Sequence, residues 1–140
     1  MEKTLKIKTQ ESITAELANY HGTDNYYVHR SPISGKPRGV YTDGVKRMAE
    51  LCGAYWLIDV IFAAQINAQP ECRYQLWEFW RERKDVGVLR CKDEAGNQIY
   101  MDVVEFTDFP LDSIKLLLEA GWIPDPGPVE SKVLMLMGER

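Results

Sequence analysis

The stretch that most limits what this chain can become is AYWLIDVIFAAQI, residues 54–66. It is 13 residues long, apolar on nearly every side, and carries one carboxylate, Asp59. A helix that crosses a bilayer needs about 20 apolar residues, so the stretch reads as a core helix and not as a membrane span. A helix that is apolar all round must be covered all round. The rest of the chain has to supply that cover. Asp59 is the exception inside it, because an ionised carboxylate taken out of water without a partner is strongly unfavourable. Asp59 is therefore expected to be mostly buried and hydrogen-bonded to a backbone or aromatic partner. Such a group is either a staple that fixes how the helix meets its cover or the floor of a binding site.

Upstream, Thr42 or Asp43 can cap a helix in which Val45, Met48, Ala49, Cys52, Tyr55 and Trp56 form one stripe, with Lys46, Arg47 and Glu50 opposite. The spacing predicts a helix over 43–66 that Gly53 bends or splits, ending near Asn67 to Pro70. ESITAELANY (11–20) follows a polar lead-in and has helical spacing at Ile13, Leu17 and Tyr20, with Ser12 as its N-cap. GTDNYYVHR reads as a short extended piece, and SPISGKPRG (31–39) as an exposed loop. Downstream the period changes to two. YQLWEFWRE (74–82) places Trp77 and Phe79 on one face and Tyr74, Leu76 and Trp80 on the other, and RERK (81–84) reads as a solvated strand end. VGVLRCK and QIYMDVVEF flank DEAGN, a hairpin loop. SIKLLLEAGW (113–122) fits either a helix or a strand. PDPGP (124–128) is a rigid break, and VLMLM (133–137) is a last strand or an apolar tail docked on the sheet. Helices first and strands after predict a single α+β domain over residues 1–140, its central apolar helix packed on an antiparallel β-sheet.

Charge and cysteine usage narrow the function classes. A net charge of −4 gives no strong field toward DNA, RNA or anionic lipid. Cys52, Cys72 and Cys91 are odd in number and lack CxxC spacing, so they are no disulfide framework and point to a reducing cytoplasm. The segment MEKTLKIKTQES has no apolar core of a secretion signal. His21 and His29 stand eight residues apart without a Cys or carboxylate at ligand spacing, so no metal site is expected. No nucleophile elbow or phosphate-cradling glycine loop is present, so neither a catalytic residue nor a cofactor is expected. Thr42-Asp43 is expected to cap a helix, and Thr107-Asp108 to close a turn at a strand end. The aromatic residues Tyr26, Tyr27, Tyr55, Trp56, Trp77 and Trp80 are mostly core, although a few rings could stack a base or line an interface.

The series GTDNYYVHR, YTDGVKRMAE, GAYWLIDVI, YQLWEF and EFTDFPLDSIKLLL resembles an uncharacterised family of small bacterial and phage proteins, a domain of unknown function that recurs in mobile elements. The resemblance covers residues 20–118, and the stretch after Trp122 is expected to be particular to this chain. It implies a small protein that works by stoichiometric binding to a host protein or defence complex, as an anti-defence (anti-CRISPR-like) inhibitor does. The expected binding residues are Tyr26, Tyr27, Arg30, Asp59 and Asp108, helped by the SPISGKPRG loop and the VLMLM tail, because loops carry function and aromatic and Arg side chains anchor interfaces. The C-terminal apolar strand also offers a homodimer contact. Two alternatives stand beside this: a nucleotide-binding or small-molecule-sequestering protein, and an enzyme. For the enzyme, Tyr20-His21-Gly22-Thr23 resembles the start of the nicotinamide pocket in diphtheria-toxin-type ADP-ribosyltransferases, which would require Tyr41 or Tyr55, and Glu105, to complete the site.

Overall fold

A computed structural model describes residues 2–65, 72–105, 107–123 and 129–140. The chain runs α1 (Glu2–Leu17), β1 (Tyr26–Arg30), β2 (Pro37–Thr42), α2 (Asp43–Cys52), α3 (Tyr55–Ala64), β3 (Tyr74–Arg83), β4 (Val86–Lys92), β5 (Gln98–Glu105), β6 (Ser113–Ile123) and β7 (Val129–Leu136), and closes with a 3-10 turn at Met137–Glu139. The class is α+β, as the change of hydrophobic period predicts.

The rod expected over 43–66 is split at Gly53. That residue adopts φ 60°, the left-handed conformation that glycine accepts without strain, and its N–H reaches back to Ala49 O. Helix α3 ends at Ala64, and the expected end near 67–70, like the PDPGP break, lies outside the described residues. Helix α1 corrects a second expectation. It starts at Glu2, so Ser12 lies inside the helix and does not cap it. Glu, Lys, Leu and Gln in the lead-in are good helix formers, while an apolar stripe becomes readable only from Ile13 onward.

Seven strands form one sheet in the order β1-β2-β7-β6-β3-β4-β5. Strands β3, β4 and β5 form a meander, and β6 returns beside β3, the Greek-key order. Every neighbouring pair is antiparallel except β2 and β7, which run parallel through Val40↔Val133 and Tyr41↔Leu134. SIKLLLEAGW is strand: Leu116, Leu117 and Leu118 are all buried, so this interior strand shows a continuous apolar run in place of alternation. Residues 133–136 are strand too, with Met137 in the 3-10 turn. The loop expected over 31–39 is shorter, because β2 begins at Pro37.

Trp77, Phe79, Leu89, Cys91, Leu116, Leu118, Leu134 and Leu136 face the helices and form one core with Val45, Met48, Leu57, Ile58, Ile61 and Phe62. The opposite face carries a smaller cluster of Val40, Val133 and Met135. In β3, the alternation read from the sequence is reproduced, with Gln75, Trp77 and Phe79 buried and Leu76 and Trp80 partly exposed. Gln75, fully buried, keeps its amide satisfied through Gln65 and the Trp77 indole N–H. No helix among the described residues is long and apolar enough to cross a membrane.

The last turn folds back onto α2. Glu139 accepts hydrogen bonds from the Thr42 hydroxyl (2.6 Å), the Gly44 N–H (3.1 Å) and the Leu136 N–H (2.9 Å). Thr42 is the N-cap of α2 and accepts from Val45 N–H, as the capping preference predicts. A carboxylate at a helix N-terminus is further favoured by the helix dipole. Gly44 has to be glycine for this closure, since a Cβ there would lie 2.5 Å from Glu139 Oε1. Replacing Glu139 by Ala leaves these donors without their acceptor, and urea unfolding is expected to show a loss of about 1–3 kcal/mol. Gly44→Ala should be comparably damaging, while Gly22→Ala, where a Cβ meets nothing within 4 Å, should be close to neutral in the same measurement.

Candidate functional site

The site grows from the point where β1 meets the two central helices. Asp43, the first residue of α2, accepts four hydrogen bonds: Asp24 N–H (3.0 Å), Asn25 N–H (3.2 Å), Asn25 Nδ2 (3.3 Å) and Tyr27 OH (2.9 Å). Thr23 adds a reciprocal tie, accepting from Asp43 N–H and donating to Asn25 O. Burial pushes the Asp43 carboxyl up, but the donors outweigh it and hold the group below its ordinary value of 3.8. The same contact raises the Tyr27 phenol, chiefly through its hydrogen bond to Asp43.

Tyr27 stacks on Tyr41 of β2 with ring centroids 5.6 Å apart, and Lys46 Nζ sits over the Tyr27 ring at 4.9 Å. Burial raises the Tyr41 phenol, and the nearby Tyr55, Asp59 and Glu50 add to the effect, so these groups share one acidic, tyrosine-rich neighbourhood. One residue pair along β1, His29 Nε2 lies 2.8 Å from Asp59 Oδ1. The imidazole is 6% exposed and lies nearly parallel to Phe62 of α3, with centroids 4.8 Å apart. Gly39, paired with His29 across the hairpin, makes room for Phe62: a Cβ at 39 would approach its ring to 2.5 Å.

This arrangement corrects the expectation for Asp59. Its side chain is 63% exposed, and the buried member of the pair is His29. Asp59 does have a ring partner, but an imidazole 30 residues away and not a backbone, hydroxyl or indole group. Because a carboxylate accepts, Nε2 carries the ring hydrogen. His29 Nδ1 is buried without a hydrogen-bond partner among the described residues.

The other expected binding residues fall in two places. Tyr26, Val28 and Arg30 alternate with Tyr27 and His29, and so point to the face away from the helices. Tyr26 is 38% and Val28 50% exposed. Arg30 Nη1 donates to Gly35 O across an ordered hairpin loop, in which Ser31 Oγ accepts from Ile33 N–H, Ser34 N–H and Arg38 Nη2. That frame presents Ile33, 95% exposed, at the tip. Asp108 is apart from all of these. It is exposed in the β5–β6 crossover, where Phe109 N–H bonds Thr107 Oγ1 as the expected turn requires. The buried Phe109 packs against Phe79 of β3, and its carbonyl accepts from Arg81, so the first residue of the expected RERK strand end is tied inward while 82–84 are exposed.

Strand β1 is one edge of the sheet and β5 the other. The transferase constellation is accordingly not brought together. Glu105 ends β5, five strand spacings from Tyr41 on β2, or roughly 24 Å at about 4.8 Å per strand. Strand β7, expected to offer a homodimer contact, has Val133 and Leu134 paired on both sides and thus no free edge at those residues. Burial pushes the Cys91 thiol up to about 12 and the Cys52 thiol to about 11, so neither supplies a thiolate nucleophile. Among the described residues no group of three His, Cys, Asp or Glu could hold a metal ion.

A family model described as "Family of unknown function (DUF6876)" matches residues 11–140. The chain belongs to this family. None of the curated proteins and none of the solved structures matches it. The DUF6876 match extends through β7 and the closing turn, which corrects the expectation that the stretch after Trp122 is particular to this chain. The reason is architectural, since β7 is an interior strand without which β2 and β6 have no common neighbour.

His29→Ala removes both the Phe62 stack and the Asp59 bond, and should lower stability by about 2–4 kcal/mol, as loss of a buried ring does. Asp59→Ala should cost only about 1 kcal/mol, because water can reach the vacated position; equal losses in urea melts would contradict the assignment of His29 as the buried member. The Asp43 contribution has a defined pH range. A carboxyl whose folded pKa lies below its unfolded value stabilises fully above the unfolded value, and the effect fades as pH falls through the folded one. The stability gap between the parent and Asp43→Asn, present near about pH 6, should therefore close below about pH 4.

Proposed function

We propose that this protein acts by stoichiometric binding to another protein through the free edge of β1 and the hairpin loop that follows it. The observation that supports the reading is the difference in charge between the two sheet edges, since both expose apolar side chains, Met101 and Val103 on β5 and Tyr26 and Val28 on β1. Sheets blunt exposed edges with charge, proline, bulges or brevity. On β5, Asp102 accepts the N–H of the adjacent Val103 (2.9 Å), and Asp102 and Glu105 put charge along the strand. On β1 the sequence YYVHR has neither proline nor carboxylate, and its one exposed charge, Arg30, is turned back to Gly35. The strand is short and its pairing with β2 shifts register between His29 and Arg30, but Tyr26, Val28 and Ile33 leave a large apolar side chain exposed at three places along it and its loop. An edge of this kind accepts an extended segment by strand addition, with main-chain hydrogen bonds giving affinity and alternate side chains giving selectivity.

The resemblance to proteins of mobile elements favours a host defence assembly as the partner, and an inhibitor of anti-CRISPR type as the role. The test is affinity purification from a bacterial lysate with the parent and Val28→Lys side by side. Val28 is exposed, so the substitution should leave stability within about 0.5 kcal/mol, while an edge lysine opposes strand addition. The parent should retain a protein in stoichiometric amount that Val28→Lys does not. Recovery of the bait alone, with a nucleotide or other metabolite bound to it, would overturn the reading in favour of a ligand-sequestering protein.

A further inference from the structure

We infer that the segment received by the β1 edge is basic, and that a Lys or Arg side chain on it seats on Asp59 beside Tyr41 and Tyr55. The inference rests on the edge-binding function proposed above and names the chemistry of its partner. Asp59 belongs to α3, yet its carboxylate reaches His29 on the outermost strand, so it stands above the rim of the sheet. A strand added to β1 would lie about 4.8 Å further out, with alternate side chains rising on the helix side. The side chain that rises beside His29 then meets Asp59 within the reach of a lysine or arginine.

The carboxylate is prepared for such a guest. Oδ1 is held by a buried imidazole, which is itself fixed by the Phe62 stack, so the orientation of Asp59 is set before binding. Oδ2 has no other hydrogen bond among the described residues, and the side chain is 63% exposed. Two cations of this region are engaged elsewhere. Lys46 lies over the Tyr27 ring and 4.0 Å from Glu50, and Arg30 points to the other face and bonds Gly35. The neighbourhood that Asp43, Glu50 and Asp59 share with three tyrosines is thus acidic and aromatic, complementary to a cation that also stacks on rings. On the opposite face of the added strand the contacts would be Tyr26 and Val28, which call for apolar residues. The partner segment therefore alternates basic and apolar positions, and proteins that hold nucleic acid present basic segments of this sort.

The probes are two synthetic peptides of alternating threonine and valine, one with arginine and one with glutamate at two threonine positions. Each is titrated into the isotope-labelled full chain and followed by NMR. The arginine peptide should move the β1 backbone amides and the His29 ring signals. It should bind Asp59→Asn about tenfold more weakly, and Asp59→Lys should transfer the preference to the glutamate peptide. The unaltered chain supplies a second measure, because binding of the arginine peptide should weaken as salt is raised. If both peptides move the β1 amides equally, or if Asp59→Asn or added salt changes nothing, the inference is overturned while the edge function stands. If neither peptide moves the β1 amides, both fall.

Discussion

The carboxylate of Glu139, set against the first turn of α2, is the contact on which the rest of the arrangement depends. Three remote parts of the chain meet there. Thr42 caps the helix, Gly44 admits the carboxylate, and Asp43 between them gathers residues 24–27. Each of these three residues has its own task, which is why the Thr-Asp-Gly sequence is so economical. The β1–β2 hairpin needs the support, because among the described residues two pairs join it to the remainder of the sheet through β7. The β1 edge therefore takes its position from a junction to which Glu139 and residues 23–44 contribute together.

The second Thr-Asp sequence has an analogous structural use. Thr107 closes the turn, Asp108 stays in solvent, and Phe109 enters the core against Phe79. The crossover is held at its start by Thr107 N–H on Asp85 O and at its end by Arg81 N–H on Asp112 O. Both motifs thus fix where the chain changes direction, and the exposed chemistry lies beside them.

What could be read without coordinates was whatever local spacing controls. The two faces of β3, the hairpin around DEAGN, the Thr42 cap and the break at Gly53 all follow from neighbours within a few residues. The strand order did not, because a parallel pairing of β2 with β7 leaves no mark in either stretch. Residues 113–122 were ambiguous for a physical reason: burial on both faces of an interior strand erases the alternation that would identify it. Around the candidate site, Tyr26 and Tyr27 lie on a strand, as the extended reading of GTDNYYVHR expects, with Tyr26 exposed and Tyr27 half-buried, whereas Asp59, expected to be mostly buried, is exposed. The clue lay in two mismatches. A histidine at an inward position of YYVHR and an aspartate inside an apolar helix each lacked a local partner, and they are each other's.

The pairing of Thr42 with Glu139 spans 97 residues of sequence. Loop-closure entropy grows only slowly with length, by about 0.6 kcal/mol per doubling, so this distance is tolerable at equilibrium. It matters more for the order of events. The meander of β3, β4 and β5 and the β6–β7 hairpin close over short loops, and contacts of high sequence separation form late. By that measure the β1–β2 hairpin and the start of α2 dock after the meander and the β6–β7 hairpin. The edge proposed to meet a partner is joined to the rest of the sheet through β2 and β7, so a ligand that bridged β1 and α3 would add a second tie between that hairpin and the core.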